Sequence, residues 1–390
     1  LFQVAERTTG LVPLLAGEVG RVPVGGDDGY PVVVGRGLLR QLSRVVSARV
    51  ACDSIAVISD SNVMPLYGTT VAEELRSSGF RVSEHVFEAG EGSKSRKTWS
   101  ILTDELLAQA HGRDSLVVAV GGGVTTDLAG FVAATFLRGV PVLQVPTSAL
   151  AMIDASVGGK TGVDVRAGKN LVGAFHRPVA VLADVDTIAT LPRAERGEGL
   201  VEALKHGAIL DRRHFEMVEG LTPRLLEGEA DAFAEVVLAS VALKAGVVDQ
   251  DEFESGYRQL LNFGHTAGHA IEAAAEYRVG HGSAVALGMR VEASMGEQLG
   301  VTEVGTGQRL TNVLDALVGS VRADVSREQV ERFLGADKKA RAGRPRYVLL
   351  AGLGRAAPGQ AWTHDVPDQV ARNALEAVLS RDASEPRTRS

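Results

Sequence analysis

The first half of the chain alternates between two hydrophobic periods. Residues 55–60 (IAVISD), 81–87, 116–120 and 140–145 are short apolar or β-branched runs with the length and composition of strands. Between them, residues 63–78 and 96–110 place apolar side chains at helical spacing. Residues 179–184 (VAVLAD) read as the last strand of this part. Short strands separated by helices predict βαβ units and a mostly parallel sheet. After Pro192 the texture becomes helical: residues 193–210, 229–249, 266–277 and 283–299 all carry the helical period, and Pro192 suits a helix start. A strand-like run returns at 346–350. The predicted fold is an α/β N-terminal domain, Rossmann-like with a mostly parallel sheet, over residues 1–185. A mainly α-helical C-terminal domain follows over 186–380, and the polar tail 381–390 is expected to be disordered.

Composition narrows the function classes. The chain has 390 residues, 45% of them hydrophobic and 23% charged, enough apolar material for a sizeable core. Its 41 basic and 48 acidic residues leave a net charge of −7, so there is no global electrostatic case for binding nucleic acid. An anionic ligand must be met by local clusters of Lys and Arg. Residues 1–20 lack a basic start followed by an apolar run, and no stretch has the ~18 apolar residues of a membrane span. The single cysteine, Cys52, excludes an internal disulfide and a Cys-rich metal site, which points to a reducing, cytoplasmic setting.

Glycine is the compositional outlier, at 45 residues. Gly121-Gly122-Gly123-Val124-Thr125-Thr126-Asp127 follows a strand and opens a helix, where backbone N–H groups can approach a pyrophosphate. A plain tight turn explains the same run. Asp154 to Gly162, with Lys160, then Lys169-Asn170, mixes glycines and lysines as an anion site does, and equally as a glycine-rich hairpin does. The helix after Pro192 carries Glu198, Glu202 and Lys205 on neighbouring turns, and Glu202 with Lys205 suits a surface ion pair. In Asn262-Phe-Gly-His265-Thr-Ala-Gly-His269 the histidines are four apart and can share one helix face, and His281 follows in Gly280-His281-Gly282. Two histidines with one carboxylate make an open zinc-type site; capping and packing histidines are the alternative. Lys244, Arg258 and Asp337-Lys338-Lys339 add positive charge.

Taken together and in order, the stretches GGGVTTDLAGF, ATFLRGVPVLQVPTSALAMIDASVGGKTGV, GKNLVGAFH, GLVEALKHG, KAGVVDQDE and LNFGHTAGHAIE resemble the 3-dehydroquinate synthase family of sugar-phosphate cyclases, from about residue 31 to 354. The resemblance implies an NAD-binding first domain and a metal- and substrate-binding second one. It implies Glu202, His265 and His281 as ligands of Zn2+ or Co2+. It implies Asp60, Asn62, Glu91, Lys94, Gly122, Gly123, Val124, Asp127, Thr147, Ser148, Lys169, Thr187, Thr190, Leu191 and Glu195 around NAD. The substrate positions would be Asp154, Lys160, Asn170, Lys205, Lys244, Arg258, Asn262, His269 and Lys338 or Lys339, with Arg138 reaching the substrate phosphate from the neighbouring subunit of a homodimer.

The implied activity is that of a lyase of the shikimate pathway, the route to chorismate and aromatic amino acids. It would turn 3-deoxy-D-arabino-heptulosonate 7-phosphate into 3-dehydroquinate by transient oxidation with NAD, phosphate elimination, re-reduction and intramolecular aldol closure. Family branches whose substrate lacks a carboxylate tend to carry an acidic residue in place of Asn262, and the valiolone and gadusol branch tends to lose the histidine at His269; both residues are present here. An aminodehydroquinate synthase, whose substrate also bears a carboxylate, fits the same residues. A metal-dependent alcohol dehydrogenase of the glycerol type fits less well, because a neutral alcohol needs no lysine-rich set. A non-catalytic NAD-binding relative would be expected to erode the metal set, which is intact. Ala267, Ser148, Asp164 and Thr187 depart from the family's usual residues, Thr187 next to the expected cofactor.

Overall fold

The computed structural model describes residues 11–26, 29–166, 168–340 and 345–381. Its sheet contains β1 (Glu18–Val24), β2 (Tyr30–Gly35), β3 (Ser54–Asp60), β4 (Arg81–Phe87), β5 (Ser115–Gly121), β6 (Val142–Pro146) and β9 (Ala180–Asp184). The hairpin β7 (Lys160–Val165) and β8 (Gly168–Phe175) pairs apart from it. The sheet order is β1-β2-β9-β6-β5-β3-β4, parallel throughout except for β1 against β2.

The side-chain period of two sorts the strands onto two cores. Ile55 and Val57 of β3, with Leu116, Val118 and Val120 of β5, join one cluster; Ala56, Ile58, Val117 and Ala119 join the other. Helices α1 (Leu42–Arg49) and α2 (Thr69–Ser77) cover the first face, and α3 (Arg96–Ala108) and α4 (Gly123–Thr135) the second. Central strands buried on both faces read as continuous apolar runs, whereas edge strand β1 alternates in exposure. Helix α3 starts where Ser95 Oγ accepts the Thr98 N–H at 3.3 Å. The chain winds outward from β3 to β4, then returns to lay β5 on the other side of β3. That reversal places a crevice at the carboxyl ends of β3 and β5.

Contacts divide the chain into two compact units, Leu1–Leu191 with Gly228–Glu252, and Pro192–Glu227 with Phe253–Ser390. This differs from the single boundary expected near residue 185. In chain order α7 (Ala230–Gln250) follows α5 (Arg193–Leu210) and α6 (Arg212–Glu227), yet it belongs to the first unit and packs on β1 and β2. Helical periodicity shows that a face is buried but not what buries it. Helix α6 was not anticipated. In the second unit, α8 (His265–Ala274), α9 (His281–Gln298), α11 (Arg327–Ala340) and α12 (Asp368–Arg381) share one apolar core, and α10 (Thr306–Val318) packs on α9. The strand-like run near 346 splits into Arg346–Tyr347 and Leu350–Gly352. Residues 382–390 of the expected tail lie outside the described residues. Among the described residues no helix is long and apolar enough to cross a membrane.

Two buried histidines outside the candidate site set an acid response. Burial pushes His111 and His214 down to about 4, from an ordinary 6.5. In the unfolded chain both gain a proton near 6.5, while in the folded chain they stay neutral to about 4, so the unfolded state binds more protons in that window. Stability is therefore expected to fall as pH drops from about 6.5 towards 4. Thermal unfolding between about pH 7 and pH 5 checks this, with a shallower decline expected for His214→Gln.

Candidate active site

In the first unit the expected cofactor residues follow the carboxyl ends of the parallel strands. Asp60 ends β3, and its Oδ1 accepts the N–H groups of Asn62 and Val63 at 2.9 and 3.0 Å. Its Oδ2 accepts Thr125 Oγ at 3.3 Å, which ties β3 to the first turn of α4. Gly122 is the N-cap of α4, and Gly123 and Val124 are its first residues. Gly122 has φ −77°, which any residue can adopt. A Cβ on Gly123 would make only ordinary contacts, 3.6 Å from Ala155 Cβ. Neither glycine is demanded by backbone conformation, so the bare helix start leaves room for something outside the fold.

Beyond β4, Lys94 reaches the Asp127 carboxylate at 2.5 Å, and Lys169 reaches Glu91 at 2.9 Å. Burial opposes the charge on Lys94, but Asp127 and the nearby Glu91 and Asp164 outweigh it and hold the ammonium above its usual range. Thr147 and Ser148 follow β6; Thr147 N–H donates to Gly121 O at 2.9 Å, and Ser148 Oγ accepts the Ala151 N–H at 3.3 Å. After β9, Thr187 Oγ donates to Asp184 O at 2.8 Å, Leu191 is buried, and Thr190 bonds the Tyr67 hydroxyl at 2.7 Å. Glu195 stands in the first turn of α5, in the second unit.

Several expected substrate residues also lie in this unit. Lys244, on α7, bonds both Asp154 Oδ1 at 2.5 Å and Asp154 O at 2.6 Å. Lys160 is exposed at the start of β7. Asn170 takes the left-handed conformation at φ +55°, held by its N–H donating to Asp164 Oδ1 at 2.8 Å. The glycine-lysine stretch is thus indeed a hairpin, with its polar residues on one short ribbon. Arg138 is exposed in a turn where it and Leu137 both have positive φ, at +71° and +50°. Strain of this kind concentrates at functional sites.

The second unit assembles the metal-type residues. Glu202 on α5 is fully buried, and its Oε1 lies 3.6 Å from His265 Nε2 and 3.8 Å from His281 Nε2. The three donor atoms fall within 4.8 Å of one another. Glu202 Oε1 is buried with no hydrogen-bond partner. His265 Nδ1 lies 3.2 Å from Phe263 O, which assigns the ring proton to Nδ1 and leaves Nε2 as a lone pair facing Glu202. Burial, then the charges of Lys205, His269 and His281, keep His265 well below its usual range and so neutral, the form that ligates. Lys205 is not the solvated residue of a surface pair: it is 1% exposed and ion-paired with Glu202. His269 lies in the ring cluster, 5.2 Å from His265, yet outside the Glu202 set, because its exposed ring faces Glu272 and His281.

Arg258 is buried, and Asn262 Nδ2 donates to Glu254 Oε1 at 2.8 Å. Lys338 and Lys339 fall on α11, with side chains outside the described residues. Sequence reasoning passed over Glu292, Glu272 and Glu254; single carboxylates within helical or loop pattern carry no signal of what they face.

The two units thus present a doubly wound α/β scaffold with a bare helix start at its switch point, and a helical unit in which buried Glu202 meets two half-buried histidines beside a lysine. This is the architecture of a nucleotide- and metal-dependent enzyme. Residues 84–198 match the family described as 3-dehydroquinate synthase N-terminal, and 199–340 the one described as 3-dehydroquinate synthase C-terminal. The chain is 42% identical to the 3-dehydroquinate synthase of Symbiobacterium thermophilum, over 90% of this chain and 99% of that one. It belongs to the 3-dehydroquinate synthase family.

Solved structures carry the same fold. A 2-deoxy-scyllo-inosose synthase, complexed with carbaglucose-6-phosphate, NAD+ and Co2+, superposes with a TM-score of 0.84 at 24% identity, covering 92% of this chain and all of that one (100%). The 2-epi-5-epi-valiolone synthase ValA of Streptomyces hygroscopicus, with NAD+ and Zn2+ bound, gives 0.80 at 28% identity, covering 90% of this chain and 97% of that one.

Proposed function

We propose that this chain converts 3-deoxy-D-arabino-heptulosonate 7-phosphate into 3-dehydroquinate and phosphate, as a lyase using NAD catalytically and one divalent metal ion. The observation that carries the reading is the Glu202, His265 and His281 cluster with the buried Lys205 ammonium at its edge, in a chain of this family. The donor set fits Zn2+ or Co2+: one carboxylate oxygen without a hydrogen bond and two imidazoles leave coordination positions for substrate oxygens. When bound, the metal ion would supply Lewis acidity towards a substrate hydroxyl and NAD a reversible hydride acceptor.

The chain's own residues would do the rest. The Gly122-Gly123 helix start would take the pyrophosphate, with Asp60, Lys94 and Asp127 around the nucleotide. Lys160, Asn170 and Arg138 are suited to the substrate phosphate, and Arg258 to its carboxylate through a bidentate fork. Asn262 gives its amide N–H to Glu254, which leaves Oδ1 to accept from a ring hydroxyl. An amide there tolerates a substrate carboxylate that an acidic side chain would repel. His269, exposed and beside His265, can bond a hydroxyl and carry a proton. Lys205 and Lys244 would hold the substrate's anionic groups as they develop charge. We place the enzyme in the cytoplasm as a homodimer; the exposed, strained turn at Arg138 suits a residue offered to a neighbouring subunit.

Purified protein given 3-deoxy-D-arabino-heptulosonate 7-phosphate and NAD is expected to release phosphate and form 3-dehydroquinate, identified by mass spectrometry. There should be no net NADH, and a chelator should abolish turnover. Turnover of only the amino analogue or of sedoheptulose 7-phosphate would move the activity to a secondary-metabolic cyclase. Stoichiometric NADH would overturn the reading in favour of a dehydrogenase.

A further inference from the structure

Both histidines beside Glu202 occupy the same structural position. His265 is the first residue of α8, and His281 the first of α9. Each follows a glycine, Gly264 or Gly280, that has no side chain to cap the helix. A helix start leaves N–H groups without intrahelical acceptors, and buried ones must find partners elsewhere. In both helices the partner is a carboxylate from another helix. Glu292, on α9 and fully buried, accepts the Gly264 N–H at 2.8 Å and faces the N–H groups of Thr266, Ala267 and Val348. Glu198, on α5, accepts the Ser283 N–H at 3.0 Å and the Ser283 hydroxyl.

Gly280 is cut to fit its carboxylate, and Gly264 to fit the close approach of α9. A Cβ on Gly280 would lie 2.7 Å from both Glu198 oxygens, and one on Gly264, at φ +79°, would lie 2.9 Å from Met289 N. Glu198 stands one turn from Glu202 on the same helix, so one element presents both a ligand carboxylate and the cap of a ligand histidine's helix.

We propose that Glu198 and Glu292 are positioning residues for the metal histidines: each caps, from a neighbouring helix, the helix whose first residue is His281 or His265. The inference rests on the metal reading above. The first turn of a helix is where fraying starts, so an uncapped N-terminus would let each imidazole wander and charge its ordering entropy to metal binding. The trans caps fix both rings before a metal arrives.

The test titrates the full-length, metal-free protein with Co2+, reading affinity by chelator competition and geometry by the d–d absorption bands. E198Q and E292Q are each expected to bind Co2+ about 10- to 100-fold more weakly, with altered bands. Leu310→Ala, a buried residue of α10, controls for stability alone and is expected to lower the melting temperature without changing Co2+ affinity. Variants that melt lower, like the control, but bind Co2+ as wild type does would overturn the inference. A wild-type chain that takes up no Co2+ would overturn the metal reading, and this inference with it. Should E292Q not fold, hydrogen exchange in the metal-free wild type decides: slow exchange at the Gly264, Thr266 and Ala267 amides supports the cap, and exchange at the rate of exposed amides overturns it.

Discussion

His265→Ala is expected to abolish metal uptake and lower turnover on the order of 10³-fold or more, because an open three-ligand site loses one of two imidazoles and with it several kcal/mol of barrier lowering. The fold should survive. His265 sits at a helix start with its Nδ1 on Phe263 O, and Ala is compatible with that first turn. The metal-free variant should therefore melt close to the wild type, while added Zn2+ or Co2+ raises only the wild-type melting temperature. Metal content after dialysis, thermal shift and phosphate release together check it. Full activity in His265→Ala would overturn the assignment of the cluster.

Lys205→Met is expected to separate two roles that a turnover assay alone would merge. Glu202 is fully buried, and Lys205 is its ion-pair partner. Removing one member of a buried pair leaves an uncompensated charge, at a cost of about 3–5 kcal/mol. The metal-free variant should therefore be markedly less stable than the wild type. Bound metal would supply the missing positive charge, so the stabilisation on adding Zn2+ should be larger in Lys205→Met than in the wild type. Turnover should nevertheless stay low, by on the order of 10²–10³-fold, because the substrate still lacks its ammonium. Calorimetry with and without metal, beside steady-state assays, checks both halves. Equal metal stabilisation in variant and wild type would mean that Lys205 does not act as the stand-in counter-charge.

Physical chemistry explains which features could be read in advance. The parallel sheet was legible because strands buried on both faces must be apolar at every position, as 55–58 and 116–120 are. The helix starting at Arg193 was legible from Pro192 and a clear period. The division of the chain was not. Helix α7 is as apolar as the helices of the second unit, and only packing shows that it lies on β1 and β2 and carries Lys244 to Asp154. Lys205 gave the wrong impression for a related reason, since its spacing from Glu202 looks the same whether solvent or protein surrounds the pair.

The sequence by itself determined the two kinds of secondary structure, the glycine-bare start of α4, and a family membership that points to Glu202, His265 and His281. Those depend on local pattern and on motifs in order. The tertiary structure alone decided that His269 stands apart from the Glu202 set despite its four-residue spacing from His265. It alone decided that Gly280 and Gly282 exist to admit Glu198, and that Gly264, Gly268 and Gly288 let α8 and α9 cross at backbone distance; a Cβ on Gly288 would lie 2.6 Å from Gly268 N. These are facts about which helix faces which. Their energy lies in hydrogen bonds and close contacts between residues far apart in the chain, where no local period records them.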